Sequence, residues 1–585
     1  MSDRSARRGL ARLVPFRRVQ FGVLLEASRT FRPALAGQRK TLLASLGLAL
    51  AATAAELLKP WPIKVLFDEV LIVDEGARLR WNLSPDRFAL GLAASVAAIA
   101  FVSAALSARA SVLTAEAGRK VTTRVRRDLF EHLHRLEMPY HVSARSGDLL
   151  VRLMGDVNLL RDGLVSSWLA LAERGALFIG MVFVLVMIDP WLALGALAPM
   201  PLLALQLQRS STTLRKVTRR QRRKEGDAAA FASETLRQVR VVKAYAREAE
   251  TAKRFAEQTG SGEKAAVKAA RITARMSRLT ETLSGLGLAL VLYIGTRRVI
   301  SGELTPGDLI VATTYARLLF KPLRRIAREG GRLAKASSGA ERLLEVMRQT
   351  PENSGDGREV EAFRGAVSFR NVTCRYDGTT DALRGLSFDL SEGTFALVNG
   401  PSGSGKSTAL AVLLRLTTPA SGSVLIDGID QREYELHSYR RSFAYVPQEI
   451  ELFSGTIREN ILYGCPDASD LEVEDAARRA LLHDVITMFP DGYETVLGEN
   501  GARLSGGQAR RLMIARAAIS KGTILVFDEP LAGLDPESRL LVAAAVRRSA
   551  AGRTTIVVHH GESGGFEPDV VLHIDNGRLD ERRMT

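Results

Sequence analysis

GPSGSGKST, residues 400–408, follows the P-loop pattern of glycine, four residues, glycine, lysine, then serine or threonine. The apolar run 395–398 ahead of it reads as a strand and 409–416 behind it reads as a helix, so the strand, turn and helix that the motif needs are in place. Glycines at 400, 403 and 405 let the backbone N–H groups turn inward. The following helix adds the positive end of its dipole, so a polyphosphate is held largely by main chain. Gly400, Ser402, Gly403, Ser404, Gly405 and Thr408 belong to this cradle, Lys406 reaches the terminal phosphates, and Ser407 ligates Mg²⁺. The plain alternative is a flexible Gly/Ser loop before a helix, and Lys-Ser at the helix start argues against it.

At 585 residues the chain exceeds one hydrophobic core, and two or more domains are expected. A formal charge of +17 raises nucleic acid as a partner. Its placement argues otherwise. Arginine and lysine crowd the first residues (Arg4, Arg7, Arg8, Arg12, Arg17, Arg18) and the stretches 119–135 and 209–224, which flank or separate Ala/Leu/Val-rich runs. That is the positive-inside distribution of a cytoplasmic-membrane protein, with no nucleic acid among its expected partners. Cys374 and Cys465 lack a CxxC spacing, so packed thiols are expected rather than a disulfide framework. The basic N-terminus shows no short apolar core ending in a small-residue cleavage site, so no removed signal peptide is indicated.

Apolar runs at 41–58, 88–106, 177–188, 191–207, 283–300 and 309–320 predict about six membrane spans, the helices continuing past the shorter runs. An even number of spans returns both ends to one side, which places the basic N-terminus, both basic insertions and the P-loop part in the cytoplasm. Each insertion is long yet poor in Gly and Pro, so it reads as span helices extended beyond the membrane with a reversal at the tip. TPENSGDG, 350–357, is a linker. The expected organisation is a basic N-terminal segment 1–38, a transmembrane domain 39–348, a linker 349–362 and a nucleotide-binding domain 363–585. In the last, short apolar runs at 367–369, 386–390, 395–398, 424–426, 524–527, 556–558 and 570–574 alternate with helical stretches, as in a layered α/β domain.

The run 524–527 ends in Asp528 and Glu529. Asp528 suits a Mg²⁺ shell and Glu529 suits orienting or deprotonating an attacking water, because phosphoryl transfer needs positioned charge more than covalent chemistry. LSGGQ, 504–508, precedes a helical stretch 509–519, where Ser505 and the Gly506 and Gly507 amides make a second anion site.

LSGGQ together with the P-loop resembles the signature of ATP-binding cassette (ABC) proteins, and the chain from about residue 39 onward resembles their exporter branch. The resemblance implies an α-helical polytopic membrane domain of six transmembrane helices with long intracellular extensions, fused to an α/β P-loop ATPase domain of the ABC type. It also implies ATP and Mg²⁺ as cofactors. Tyr376 sits where an aromatic residue stacks on adenine. Gln448, in YVPQEIELFSGTIRENILYG, matches the glutamine that senses Mg²⁺. Glu499, in TVLGENG, matches the acidic residue ahead of the signature, and Asp535, in AGLD, the aspartate after the two acids. Gln508 closes the signature. GRTTIVVHHG departs from the family pattern and places His560, not His559, in the switch position, with Gly561 where an arginine is usual. The catalytic set is therefore Glu529, His560 and Gln448, and the metal set Ser407, Gln448 and Asp528. RRDLFEHLHRLEMPYHVSARSGDLLVRLMGDV and ETLRQVRVVKAYAREAETAKRF resemble the two intracellular loops, with short coupling helices expected near 126–133 and 239–246.

One membrane half and one cassette resemble a half-transporter, whose two ATP sites form only when the signature of one copy closes over the P-loop of another. A homodimer is favoured over a heterodimer because the P-loop, the acid pair and the signature are all intact. The resemblance implies a multi-pass protein of the inner membrane exporting amphipathic small molecules, drugs or lipids. An importer on the same frame, as for metal chelates, and an ATP-gated regulator or channel are the alternatives. Glu529 argues against the regulator. Charges within apolar runs mark Glu56, Glu173, Arg174 and Arg317 as substrate-site candidates, against mutual pairing or snorkelling as the simpler reading.

Overall fold

The computed structural model describes residues 21–71, 85–144, 146–352, 357–376, 380–498, 504–560 and 565–580. The chain divides into two compact units, Met1–His134 with Ser146–Gln349, and Arg135–Arg145 with Thr350–Thr585.

The first unit is helical throughout its described residues. Its long helices are Arg39–Leu58, Pro85–His134, Trp168–Ile188, Met200–Arg237, Glu248–Ile300 and Phe320–Met347; the runs 41–58, 88–106, 177–188 and 283–300 each fall within one helix, while 191–207 is interrupted at Ala198 and Pro199 and 309–320 at Leu319. Among the described residues, four stretches are long and apolar enough to cross a bilayer: Arg39–Glu69, Asp86–His134, Gly147–Ile188 and Glu248–Ile300. Pro190–Gln206 is apolar but shorter. The sides of these helices carry bare apolar groups, such as Leu90 at 72% exposed and Phe101 at 76%. Such surface is stable against lipid and costly against water. Where helices touch, small residues admit the neighbour: a Cβ on Gly295 would lie 2.4 Å from Leu309. Asp189 accepts from the Trp191 and Leu192 amides at 2.7 and 3.2 Å and so caps the helix that Pro190 begins, which makes the expected hairpin turn.

A clasp joins segments far apart in sequence. Asp68 accepts from the Gly307 amide and the Thr305 hydroxyl, each at 2.8 Å, and Lys64 donates to Asp308 at 2.6 Å. A side chain on Gly307 would overlap the Asp68 carboxylate, so the approach requires glycine. Thr305 and Asp308 also cap each other around Pro306, opening the helix Pro306–Leu318.

At the first expected coupling position the structure shows no separate short helix. Residues 126–133 sit inside the unbroken helix Pro85–His134, which holds no breaker in that stretch; the next helix is Met138–Ser143, begun by an extended Glu137 and Pro139. At the second, the short helix Val239–Ala244 falls where expected.

In the second unit, a parallel sheet is ordered Val570–Asp575, Phe395–Asn399, Thr554–Val558, Ile524–Asp528, Phe443–Val446, with Arg578–Leu579 antiparallel at one edge. Ile524–Asp528 and Thr554–Val558 are buried at every residue, the signature of strands covered on both faces. A second, antiparallel sheet runs Thr380–Leu390, Val367–Tyr376, Ser421–Ile426, Ile429–Asp430. One apolar core lies between the sheets around Val398, Val526 and Ile556. The other lies under the helices around Leu512, Phe527 and Val546. Phe443–Val446 is a strand that the run pattern did not single out, because Tyr445 interrupts its apolar surface.

Candidate functional site

Ligands of open parallel sheets bind at the carboxyl ends of the strands, and here four neighbouring strands end together. Val398 pairs with Val558, Val558 with Asp528, and Val446 with Phe527. This register sets the P-loop, His560, the Asp528–Glu529 pair and Gln448 side by side on one edge, although they are scattered over the last third of the chain.

The P-loop has the conformation its glycines allow. Gly400, Gly403 and Gly405 have φ of 151°, 77° and 105°. A Cβ at Gly405 would meet the Ala382 carbonyl at 2.5 Å, while one at Gly403 would meet nothing. The helix Lys406–Leu413 starts directly from this turn, so its free N–H groups face the loop. Lys406 is buried and donates through Nζ to the Gly400 and Pro401 carbonyls at 2.9 and 2.8 Å. Burial pushes its ammonium below the usual lysine range, while the Glu529 and Asp528 carboxylates oppose that shift. Ser404 is buried with its hydroxyl unpartnered, and Ser402 and Ser407 are exposed. Thr408 is buried on the same helix.

Asp528 ends its strand buried, with Oδ1 unpartnered and the Ser407 hydroxyl bonded to its carboxylate. Burial raises its carboxyl above the usual range, and neighbouring Glu529 adds to this. A buried acidic oxygen lacking a partner beside a serine hydroxyl fits a divalent cation. Among the described residues no group of three or more His, Cys, Asp or Glu could enclose a metal. A cation here would therefore draw most of its ligands from phosphate and water, as Mg²⁺ does.

Glu529 stands in the left-handed region at φ 47°, with its amide held by the Val558 carbonyl at 3.0 Å. Such a conformation costs a non-glycine residue about 1–3 kcal/mol. It aims the carboxylate between two side chains: Gln448 Nε2 donates to Oε2 at 2.8 Å, and His560 Nε2 lies 2.7 Å from Oε1. The three residues expected to be catalytic thus meet at one carboxylate. His559 points elsewhere. Its amide donates to the Val398 carbonyl at 3.0 Å, its ring packs edge-on against Phe566, and burial lowers its pKa.

Ser505 and Gln508 form a capping box at the start of the helix Gly506–Ile519, Ser505 N donating to Gln508 Oε1 at 2.9 Å and Gln508 N to Ser505 Oγ at 3.3 Å. A Cβ on Gly507 would lie 2.6 Å from Ser538 Oγ, so the next helix, Pro536–Ala550, is close; Asp535 caps it by accepting from Ser538 N at 3.0 Å. Tyr376 ends the strand Val367–Tyr376, and Glu499 and Gly561 lie outside the described residues. Among the charges in apolar runs, Glu173 and Arg174 pair with each other at 3.2 Å, Glu56 is half-buried, and Arg317 is exposed in the last turn of its helix.

The sequence reading missed Arg510. It is 5% exposed and donates through Nη1 to the carbonyls of Gln448 and Pro447. Two adjacent arginines, Arg510 and Arg511, both buried in the helix, are the signal that could have revealed it.

Residues 42–323 match the model described as ABC transporter transmembrane region, and residues 383–532 match the one described as ABC transporter. An ATP-dependent lipid A-core flippase of Chromohalobacter salexigens is 33% identical over 80% of this chain and 81% of its own length. One from Syntrophus aciditrophicus is 29% identical over 96% and 91%. A putative multidrug export ATP-binding/permease protein of Bacillus subtilis is 30% identical over 79% and 80%. The structure of a bacterial Atm1-family ABC exporter with ATP bound superposes with a TM-score of 0.79 at 26% identity, covering 93% of this chain and 95% of that one.

Proposed function

Because the chain belongs to the ABC transporters, as a half-transporter of the exporter type with membrane and ATPase parts fused, we propose that it hydrolyses ATP to export lipids or amphipathic small molecules. The names of its relatives favour that cargo and direction over uptake. We place it in the cytoplasmic membrane as a homodimer of six-span chains, with domain limits at 1–38, 39–348, 349–362 and 363–585.

The P-loop amides and Lys406 hold the phosphates, and Tyr376 stacks on adenine. Ser407, Asp528 and Gln448 would hold Mg²⁺, which would supply positive charge against the phosphates. Glu529 takes a proton from water as its oxygen bonds to the γ-phosphorus and the bond to the β-phosphate oxygen breaks. His560 and Gln448 fix the direction of that carboxylate. Ser505, Gly506, Gly507 and Gln508 of one copy close over nucleotide held by the other, so closure follows from nucleotide binding and separation from hydrolysis.

The meeting of Gln448 and His560 on Glu529 carries this reading. Its test is Glu529→Gln in reconstituted vesicles containing a fluorescent lipid. ATP binding should persist, while hydrolysis falls by about 10²–10⁴-fold, the range for losing a general base, and lipid translocation stops. Wild-type hydrolysis by this variant would remove Glu529 from the mechanism.

A further inference from the structure

Arg510 lies on the helix Gly506–Ile519 that opens with Ser505, about 7.5 Å along the axis from that cap. Its guanidinium is buried and donates through Nη1 to two successive carbonyls, those of Pro447 and Gln448. Gln448 in turn is exposed and donates to Glu529 at 2.8 Å. The loop carrying Gln448 leaves the sheet after Val446. Arg516 of the same helix holds that loop further on, donating to the Glu451 carbonyl at 2.9 Å. Met513 Sδ accepts from the Glu451 amide at 3.3 Å. The Gln448 loop is thus fastened to one face of the signature helix, and Arg510 is the fastener at Gln448 itself.

We propose that Arg510 is a positioning residue that holds Gln448 against the Glu529 of its own chain, and so carries the position of the signature helix to that carboxylate. This rests on the roles proposed above for Gln448, Glu529 and the signature. In the dimer, the signature of a copy faces the nucleotide of its partner, whereas Gln448 and Glu529 serve the nucleotide on their own P-loop. Arg510 therefore links the two sites: seating of the helix on one nucleotide sets the hydrolytic geometry at the other.

The two roles open to Arg510 act on different sites, which a mixed dimer separates. Two differently tagged copies are co-expressed, purified through both tags and reconstituted, with one copy carrying Glu529→Gln so that hydrolysis comes from the other copy's site. Arg510→Met is then placed on either copy. A positioning role predicts that Arg510→Met beside Glu529→Gln leaves the remaining rate within about twofold. On the active copy, the same change should lower kcat about tenfold or more with KM for ATP unchanged, the loss expected on releasing a group held by charge-assisted hydrogen bonds. Affinity for a fluorescent ATP analogue, read without turnover, should be unchanged in both dimers, and Arg510→Lys should restore part of kcat by reaching one carbonyl. If Arg510 only supports the signature helix, the pattern inverts: the change hurts when it sits beside Glu529→Gln, because that copy's signature serves the active site. Inversion, equal loss in both placements, or no loss in either overturns the proposal. A Glu529→Gln copy that itself hydrolyses at the wild-type rate would instead refute the catalytic reading, before Arg510 is touched.

Discussion

Replacing His560 by alanine removes the single 2.7 Å contact between its Nε2 and Glu529 Oε1, and leaves Gln448 on the other oxygen. Hydrogen bonds to charged groups contribute about 1.5–3 kcal/mol. The His560 side chain is 40% exposed, so water screens the contact and the lower end applies. About 1.5 kcal/mol placed wholly in the transition state is about a tenfold loss of kcat, since each 1.36 kcal/mol is tenfold. Because the contact removed is one to Glu529, KM for ATP should hardly move. His559→Ala provides the contrast. That ring packs on Phe566, so its loss should lower thermal stability and leave kcat within about twofold, as expected for a packing residue away from the reacting groups. The assay is steady-state hydrolysis across an ATP titration in lipid nanodiscs, with melting temperature measured on the same samples. If His559→Ala lost the turnover while His560→Ala kept it, the position of the switch residue would be wrong by one.

Lys406→Ala removes a buried ammonium from the loop and should weaken ATP binding by about tenfold or more, measured by nucleotide titration without turnover. Gly405→Ala should be far worse than Gly403→Ala. Both adopt a left-handed backbone, which costs about 1–2 kcal/mol for an L-residue, but only Gly405 also faces a carbonyl at 2.5 Å. Comparable melting temperatures for the two variants would contradict this. Burial alone would raise the Asp308 carboxyl, but the bonds from Lys64 and Thr305 hold it below its ordinary 3.8. A depressed acid stabilises the fold above its unfolded pKa and loses that contribution as pH falls through the lower folded value. Melting temperature should therefore drop as pH falls below about 4, and Asp308→Asn should flatten that drop; an unchanged acid limb in the variant would refute the clasp.

The nucleotide site was legible because its geometry is local. Four glycine-limited or charged positions in 400–408 write the turn directly, and Asp528 and Glu529 end a strand whose apolar run is unmistakable. Contacts made across sequence were not legible. Asp68 meets Thr305 over a separation of 237 residues, and Arg510 meets Gln448 over 62, and neither pairing has a periodicity to betray it. The missing break at 126–133 has a different cause. Residues 126–133 are amphipathic and look self-contained, but nothing in them breaks a helix, so it runs on to His134, and the next helix, Met138–Ser143, starts only after the extended Glu137.

The helix Glu248–Ile300 contains 53 residues and no proline. It is therefore about 80 Å long at 1.5 Å per residue, against a hydrocarbon layer of about 30 Å. Met200–Arg237 lies alongside it, and two packed helices bend less readily than one. A beam of that length, pivoting by about 5° where it enters the lipid, sweeps its far end through about 4 Å for the 50 Å that protrude. Its mechanical advantage runs in reverse as well: an ångström-scale nudge at the tip becomes a fraction of that displacement, delivered with greater force, at the level of the bilayer. Length alone thus makes these rods a gearing between large soft movements in water and small firm ones in the membrane.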